Sequence, residues 1–324
     1  MKRSLKFLIA EGIAKREMIC ALALTCFGCA IQPFTADDVD YFQPPIVESN
    51  PPLRPLNSYS LHNNTTAVNL AKMLPIVPSF NGKGNLIASW NPHPDGVADR
   101  PTFVIVHGGH GLTPTNFANA LWVRKELNAN VLVLDSFWSR GRQENWLTYT
   151  RFGVNMRVLD VIAAGRWLQA KGIDKHRLFL MGDSQGGWTV LRLFTSEPFF
   201  MEHAKDLYRG GISLYPVCIS KGTREEPLLG PYWGPVIVFT GGKDTGTPIL
   251  QCRSDVFTKT MSWIHYSEAT HAWDISNRGA HTPSVDGECG KALNTYNHFP
   301  VCRSDKRTEQ MRVSIKQFLD RVGD

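Results

Sequence analysis

Gly182-Asp183-Ser184-Gln185-Gly186 decides how this chain is read, because the apolar run Arg177-Leu178-Phe179-Leu180-Met181 leads into it and an apolar-periodic segment, Trp188 to Phe194, leaves it. That spacing predicts a serine on a sharp strand-to-helix turn with small residues on both sides. The glycines follow from sterics: the turn crowds its neighbours, and a side chain at 182 or 186 would meet the adjoining strand or helix. Ser184 is then placed at a helix N-terminus, where unpaired backbone N–H groups favour negative charge.

A serine hydroxyl is a poor nucleophile unless a base takes its proton and a carboxylate holds that base in the right tautomer. Two later segments supply both. Pro235-Val236-Ile237-Val238-Phe239-Thr240 reads as a buried strand that ends in Gly241-Gly242-Lys243-Asp244, and a second strand-like run, Met261 to Tyr266, is followed after a short loop by His271. The chain order Ser184, Asp244, His271 is the order that this turn architecture requires. Upstream, Pro101 to Val106 is another buried-strand candidate running into His107-Gly108-Gly109-His110-Gly111. A glycine-rich turn there lets the backbone aim an N–H at a developing oxyanion, with Gly109 as one donor and Gln185 as the other.

Each of these residues also has a plainer reading. Asp244 could cap the following helix, and Asp274 is a rival acid for His271, although it lies three residues away and lacks a preceding strand. His107 and His110 sit in a glycine setting without a nearby carboxylate, which favours hydrogen bonding over metal binding. Asp135 reads as structural, fixing its loop through Arg140 or Arg142. The aromatics Phe137, Trp138, Trp146, Trp188 and Trp273 read as core or loop packing, with a few of them pocket candidates by position.

With these motifs in place the chain resembles an α/β-hydrolase, and within that superfamily the dienelactone hydrolase family. The resemblance rests on His107-Gly108-Gly109-His110-Gly111, Val133-Leu134-Asp135-Ser136-Phe137 with Arg140-Gly141, Gly182 to Gly187, Gly242-Lys243-Asp244 with Pro248, and Ala269-Thr270-His271-Ala272-Trp273-Asp274. It spans about residues 85 to 322 in register. Dienelactone hydrolases in the strict sense carry a cysteine nucleophile where this chain has Ser184. The resemblance therefore implies the fold and the triad, not a dienelactone substrate.

The rest of the chain fits an α/β domain. From about residue 85, strands expected at 86–90, 102–106, 131–135, 178–181, 211–215, 236–240 and 262–266 alternate with helices near 115–128, 155–171, 185–195 and 248–259. A closing helix from Thr308 to Arg321 carries Met311, Ile315, Phe318, Leu319 and Val322 at helical spacing. Alternation of this kind implies a mainly parallel central sheet with helices on both faces, and ligands bound beyond the carboxyl ends of its strands. Residues 31–80, rich in Pro, Asn and Ser, read as an extended arm or partly disordered spacer, with the catalytic domain over 81–324.

Residues 1–30 read as an export leader, a signal peptide or a lipoprotein leader: a basic, mixed start followed by the apolar run Met18 to Ala30, short for a membrane span. Cys29 after Gly28 is a candidate lipid-anchor site, and cleavage after Ala30 fits equally well. The formal charge is +6 over 324 residues, and the leader's five Lys/Arg and two Glu account for half of it. What remains is too mild for a nucleic-acid partner.

Four cysteines lie beyond the leader, and four can pair in three ways. The expected pairs are Cys218 with Cys252 and Cys289 with Cys302; a zinc site from Cys289, His298 and Cys302 matches no familiar spacing. The expectation is an exported serine hydrolase, periplasmic or secreted, acting on a small ester or lactone without metal or cofactor. A prolyl-oligopeptidase-type peptidase, an acyltransferase and a non-catalytic cell-envelope binding protein on the same scaffold stand as alternatives.

Overall fold

The computed structural model describes residues 34–43, 46, 73–142, 153–218, 232–248, 260–274, 290–291 and 300–323, and in it all seven expected apolar runs are strands. They are β2 (Asn85–Asn91), β3 (Thr102–Val106), β4 (Asn130–Asp135), β5 (Leu178–Asp183), β6 (Gly210–Leu214), β7 (Val236–Gly241) and β8 (Met261–Tyr266). An eighth, β1 (Leu74–Pro78), lies inside the stretch read as an arm. Its two prolines hid it: proline cannot donate to a ladder, so such a run is tolerated at a sheet edge, and β1 pairs with β2 alone, across an irregularity between Pro75 and Val77.

The sheet order is β1-β2-β4-β3-β5-β6-β7-β8. β1 and β2 run antiparallel, and β4, β3, β5, β6, β7 and β8 are parallel to one another. The chain leaves β3 for β4 on one side and then crosses to β5 on the other. This reversal opens a crevice beyond the ends of β3 and β5, where open α/β sheets bind ligands.

Side-chain alternation fixes the layers. Val104, Val106, Leu132, Leu134, Leu178 and Leu180 pack on one face, with α3 (Val154–Gln169) and α4 (Gln185–Phe194), while Phe103, Ile105, Val131, Val133, Phe179 and Met181 pack on the other. That second face is covered by α2 (Pro114–Glu126) and α6 (Asp305–Gly323), whose Met311, Ile315 and Phe318 are buried at the expected spacing. Strands buried on both faces read as continuous apolar runs, which is why they were legible. A short helix α5 (Pro198–Ala204), begun by a proline at its first position, was not expected.

The start of the described chain docks on this body. Phe34 packs on Phe199 and Phe200, and its N–H donates to Glu197 Oε1 over 2.8 Å. A helical turn, α1 (Val39–Phe42), then delivers Gln43, whose amide donates to Asp160 Oδ1 at 3.2 Å and accepts from Arg140 Nη2 at 3.4 Å. Arg140 and Asp160 form a buried two-pronged ion pair, with distances of 2.8 and 2.9 Å. Asp135, expected to fix its loop through Arg140 or Arg142, fixes it through the backbone instead: its Oδ1 accepts the N–H groups of Phe137 and Trp138, while Arg140 pairs with Asp160.

The leader with Cys29, Trp146, residues 249–259 of the expected helix, and Cys252, Cys289 and His298 lie outside the described residues. Cys218 and Cys302 are each disulfide-bonded. Among the described residues no helix is long and apolar enough to cross a membrane, and no group of three or more His, Cys, Asp or Glu could hold a metal ion.

Candidate active site

The turn after β5 is held by close contact as well as by hydrogen bonds. A Cβ on Gly182 would sit 2.4 Å from the backbone of Gly186, and one on Gly186 would sit 2.5 Å from the Val106 carbonyl oxygen and 2.7 Å from that of His107. Both glycines are therefore imposed by the meeting of β3, β5 and α4. Between them Ser184 takes φ 52° and ψ −116°, a conformation that costs about 1–3 kcal/mol and persists only where the surroundings over-determine it. Its N–H donates to the Leu214 carbonyl on β6, 2.9 Å away. Gln185 is the first residue of α4, where the sequence placed the helix start.

His271 and Asp244 meet the serine from the far side of the sheet. Ser184 Oγ lies 3.1 Å from His271 Nε2, and His271 Nδ1 lies 2.8 Å from Asp244 Oδ2. Asp244 is 4% exposed and His271 7%. Asp244 Oδ1 accepts the Thr247 N–H at 2.7 Å while Oδ2 faces the imidazole, and the helix that Asp244 was read as able to cap lies outside the described residues. The Thr247 hydroxyl lies 2.7 Å from Asp244 Oδ2 and 3.0 Å from the Tyr215 carbonyl. Burial alone would raise the Asp244 carboxyl, but His271 and the Thr247 donors outweigh it and hold the group below its ordinary range, so it stays ionised.

Asp274, the rival acid, is occupied elsewhere: it accepts the Tyr215 hydroxyl at 2.7 Å and the Asn119 amide at 2.9 Å. The Tyr215 ring meets the His271 ring edge-on at 4.9 Å. Four non-glycine residues among the described ones have positive φ, and three of them, Ser184, Tyr215 and Ala272, line this small region. Backbone strain collected at one place is a mark of a functional site.

The turn expected to hold the second oxyanion donor, 107–111, lies against the serine. A Cβ on Gly108 would come within 3.3 Å of Ser184 Cβ and 3.0 Å of Asp183 Oδ2. Gly109 follows directly and is buried. His107, fully buried, has a pKa well below the ordinary range because burial and the nearby Arg157 charge disfavour its cation. The neutral ring then has one arrangement that fits its neighbours: Nδ1–H donates to the Gly108 carbonyl at 2.7 Å, and Nε2 accepts the Ser136 N–H at 3.2 Å. Arg157 donates to the His107 carbonyl. His110 is exposed.

All five residues picked from sequence thus fall at the crevice between β3 and β5 or on the loops facing it. Asn116, Asp183, Tyr215, Thr247 and the pair Asn119–Asp274 were not anticipated in their present roles. Of these, Asp183 carried a signal as the second residue of the 182–186 motif, and Asp274 as the acid three residues beyond His271.

Comparison with known proteins bears on the fold. No family model matches the sequence, and no curated protein matches it. Esterase 2 of Thermogutta terrifontis in its apo form is 16% identical, aligned over 78% of this chain and 94% of that one with a TM-score of 0.53. The same enzyme phosphoramylated by tabun aligns over 78% of this chain and 96% of that one, at 16% identity and TM-score 0.54. A candidate dienelactone hydrolase from Klebsiella pneumoniae aligns over 62% of this chain and 88% of that one, at 16% identity and a TM-score of 0.46. Together with the strand order and the strand-turn-helix around Ser184, the likeness to esterase 2 shows that the chain has the α/β-hydrolase fold.

Proposed function

We propose that the protein is an exported serine hydrolase that cleaves a carboxylic ester or lactone through an acyl-enzyme. The observation that carries this reading is the hydrogen-bonded line from Ser184 Oγ through His271 to the ionised Asp244. His271, oriented by Asp244, takes the Ser184 proton as Oγ attacks the carbonyl carbon. The N–H groups of Gln185 and Gly109 hold the negative oxygen that forms, which for each donor is worth about 2.7–4 kcal/mol in such sites. The alcohol leaves with the proton from His271, and a water deprotonated by the same ring then releases the acid.

Export follows from the sequence of residues 1–30, and the disulfide state of Cys218 and Cys302 supports an oxidising compartment. Esterase 2 of Thermogutta terrifontis, which shares the fold, is phosphoramylated by tabun, and this recommends an organophosphorus probe.

The test is active-site titration with a fluorophosphonate on wild type and Ser184→Ala, followed by p-nitrophenyl esters, lactones and aminoacyl anilides. Stoichiometric labelling is expected for wild type and none for the variant, with ester turnover reduced about a millionfold by the substitution. Undiminished turnover in Ser184→Ala would refute the assignment, and faster cleavage of anilides than of esters would make the protein a peptidase.

A further inference from the structure

Asp183 and Asn116 belong to different elements and meet directly beside Ser184. Asp183 ends β5, and Asn116 lies in the first turn of α2, the helix that begins just after the 107–111 turn. The Asn116 amide works in both directions. Its Oδ1 accepts the N–H and the hydroxyl of Thr113 at 2.9 and 3.0 Å, closing the start of α2, and its Nδ2 donates to Asp183 Oδ1 at 2.5 Å. The other carboxylate oxygen, Oδ2, is the atom against which Gly108 is pressed. One side chain on the strand that carries the nucleophile therefore lies beside the oxyanion turn at its beginning, leaving no room for a Cβ on Gly108 without a shift, and through Asn116 is bonded to the helix at its end.

From this geometry we infer that Asp183 and Asn116 form a brace that sets the separation between the oxyanion turn and Ser184, so that they act as positioning residues for the transition state. The inference rests on the esterase reading above. In a tetrahedral intermediate the oxyanion must meet N–H groups from both sides, one from α4 and one from the turn. The first is fixed to Ser184 by the chain itself, whereas the second belongs to a separate strand and reaches the serine across a gap. Positions that must hold to a fraction of an ångström need support from neighbouring groups. His107, with its two backbone hydrogen bonds, and Arg157, on the His107 carbonyl, hold the start of the turn from the α3 side. The brace holds it from the α2 side, through Asn116 in the first turn of that helix.

Such a role acts on the transition state more than on substrate binding, and it depends on the pair rather than on the charge of Asp183. Three proteins are compared, with thermal melting measured for each: wild type, Asp183→Ala, and the exchange Asn116→Asp with Asp183→Asn. The exchange reverses donor and acceptor but keeps the bond and the oxygen that closes α2. The probe is p-nitrophenyl acetate, followed through burst and steady state.

For Asp183→Ala the expectation is a fall in kcat and in the acylation rate of about tenfold with KM within about twofold, the pattern of an interaction made in the transition state. The exchange is expected to recover kcat to within about threefold of wild type. Wild-type kcat in Asp183→Ala overturns the brace, as does an exchange protein that melts like wild type yet remains as slow as Asp183→Ala. Should Asp183→Ala not fold, the exchange decides by itself, since a tenfold loss in it overturns the pairing. An active wild type with either of those results leaves the esterase reading standing, whereas a wild type that neither labels nor turns over ester overturns both.

Discussion

The two sides of the site share close backbone packing and differ in the hydrogen bonds that reach the catalytic groups. On the Ser184 side, backbone lies against backbone: Gly182, Gly186 and Gly108 are positions where a single added carbon would strike main-chain or nucleophile atoms at 2.4 to 3.3 Å. On the His271 side, Gly241 and Gly242 are pressed as closely, a Cβ at either meeting the carbonyl oxygens of Ala269 and Ser267 at 2.5 and 2.3 Å, and side-chain hydrogen bonds are added, with Thr247 serving Asp244 through both its N–H and its hydroxyl and Tyr215 serving Asp274. Close packing has no soft response to an added atom, while a hydrogen bond can be removed singly and leave its neighbours in place. The glycine contacts therefore couple function to stability, and the side-chain hydrogen bonds on Asp244 let them be separated.

The sharpest break of that comparison is Gly186→Ala. The new methyl group faces two carbonyl oxygens on β3 that cannot move without opening the sheet, so a loss of about 3 kcal/mol in unfolding free energy is expected, along with most of the activity. Urea denaturation measures it; a variant as stable as wild type would mean that β3 and α4 can part at little cost.

On the other side, Thr247→Val removes one hydroxyl from Asp244 but leaves the backbone N–H donor. A hydrogen bond to a charged group is worth about 1.5–3 kcal/mol, so kcat is expected to fall by about tenfold or somewhat more while the melting temperature moves little. Equal losses of kcat and stability would erase the distinction between the two sides.

The smallest effect is one of pH. Burial and the neighbouring Asp274 push the Asp183 carboxyl up to about 7, against the pull of the Asn116 amide, Arg157 and His271, and burial pushes Asp135 up to about 6. Both groups hold their protons more tightly folded than unfolded, where the pKa is about 3.9. Their contribution to stability is present below that value and declines as pH rises through the folded values. Stability measured from pH 4 to 8 is expected to decline more gently in Asp183→Asn than in wild type; parallel curves would show that Asp183 does not titrate in this window.

The same contrast explains what could be read from the sequence. Gly182, Gly186 and the 107–111 turn were legible because steric exclusion leaves glycine as the residue that fits, and the buried parallel strands because apolar runs have few other uses. Asp244 and His271 were found by their order and by the strands before them. Thr247, Asn116 and Tyr215 were not, since a threonine, asparagine or tyrosine looks the same whether it binds a catalytic group or water, and their partners lie up to 67 residues away. β1 and α5 were missed because proline marks both an edge strand and a helix start as readily as a loop.

The docking of the N-terminal segment bears on how the chain comes to be folded. Phe34 finds Glu197 at a distance of 163 residues in sequence, and Gln43 finds Asp160 at 117. Contacts of such range are slow to form, because the intervening loop must be closed before anything is gained. In a chain made from its N-terminus, Asp40 meets Lys83 after 43 residues, Gln43 waits 117 for Asp160, and Phe34 waits 163 for Glu197. One short segment is thus fastened in stages, and a chain stopped before residue 197 leaves Phe34 without Glu197, Phe199 and Phe200.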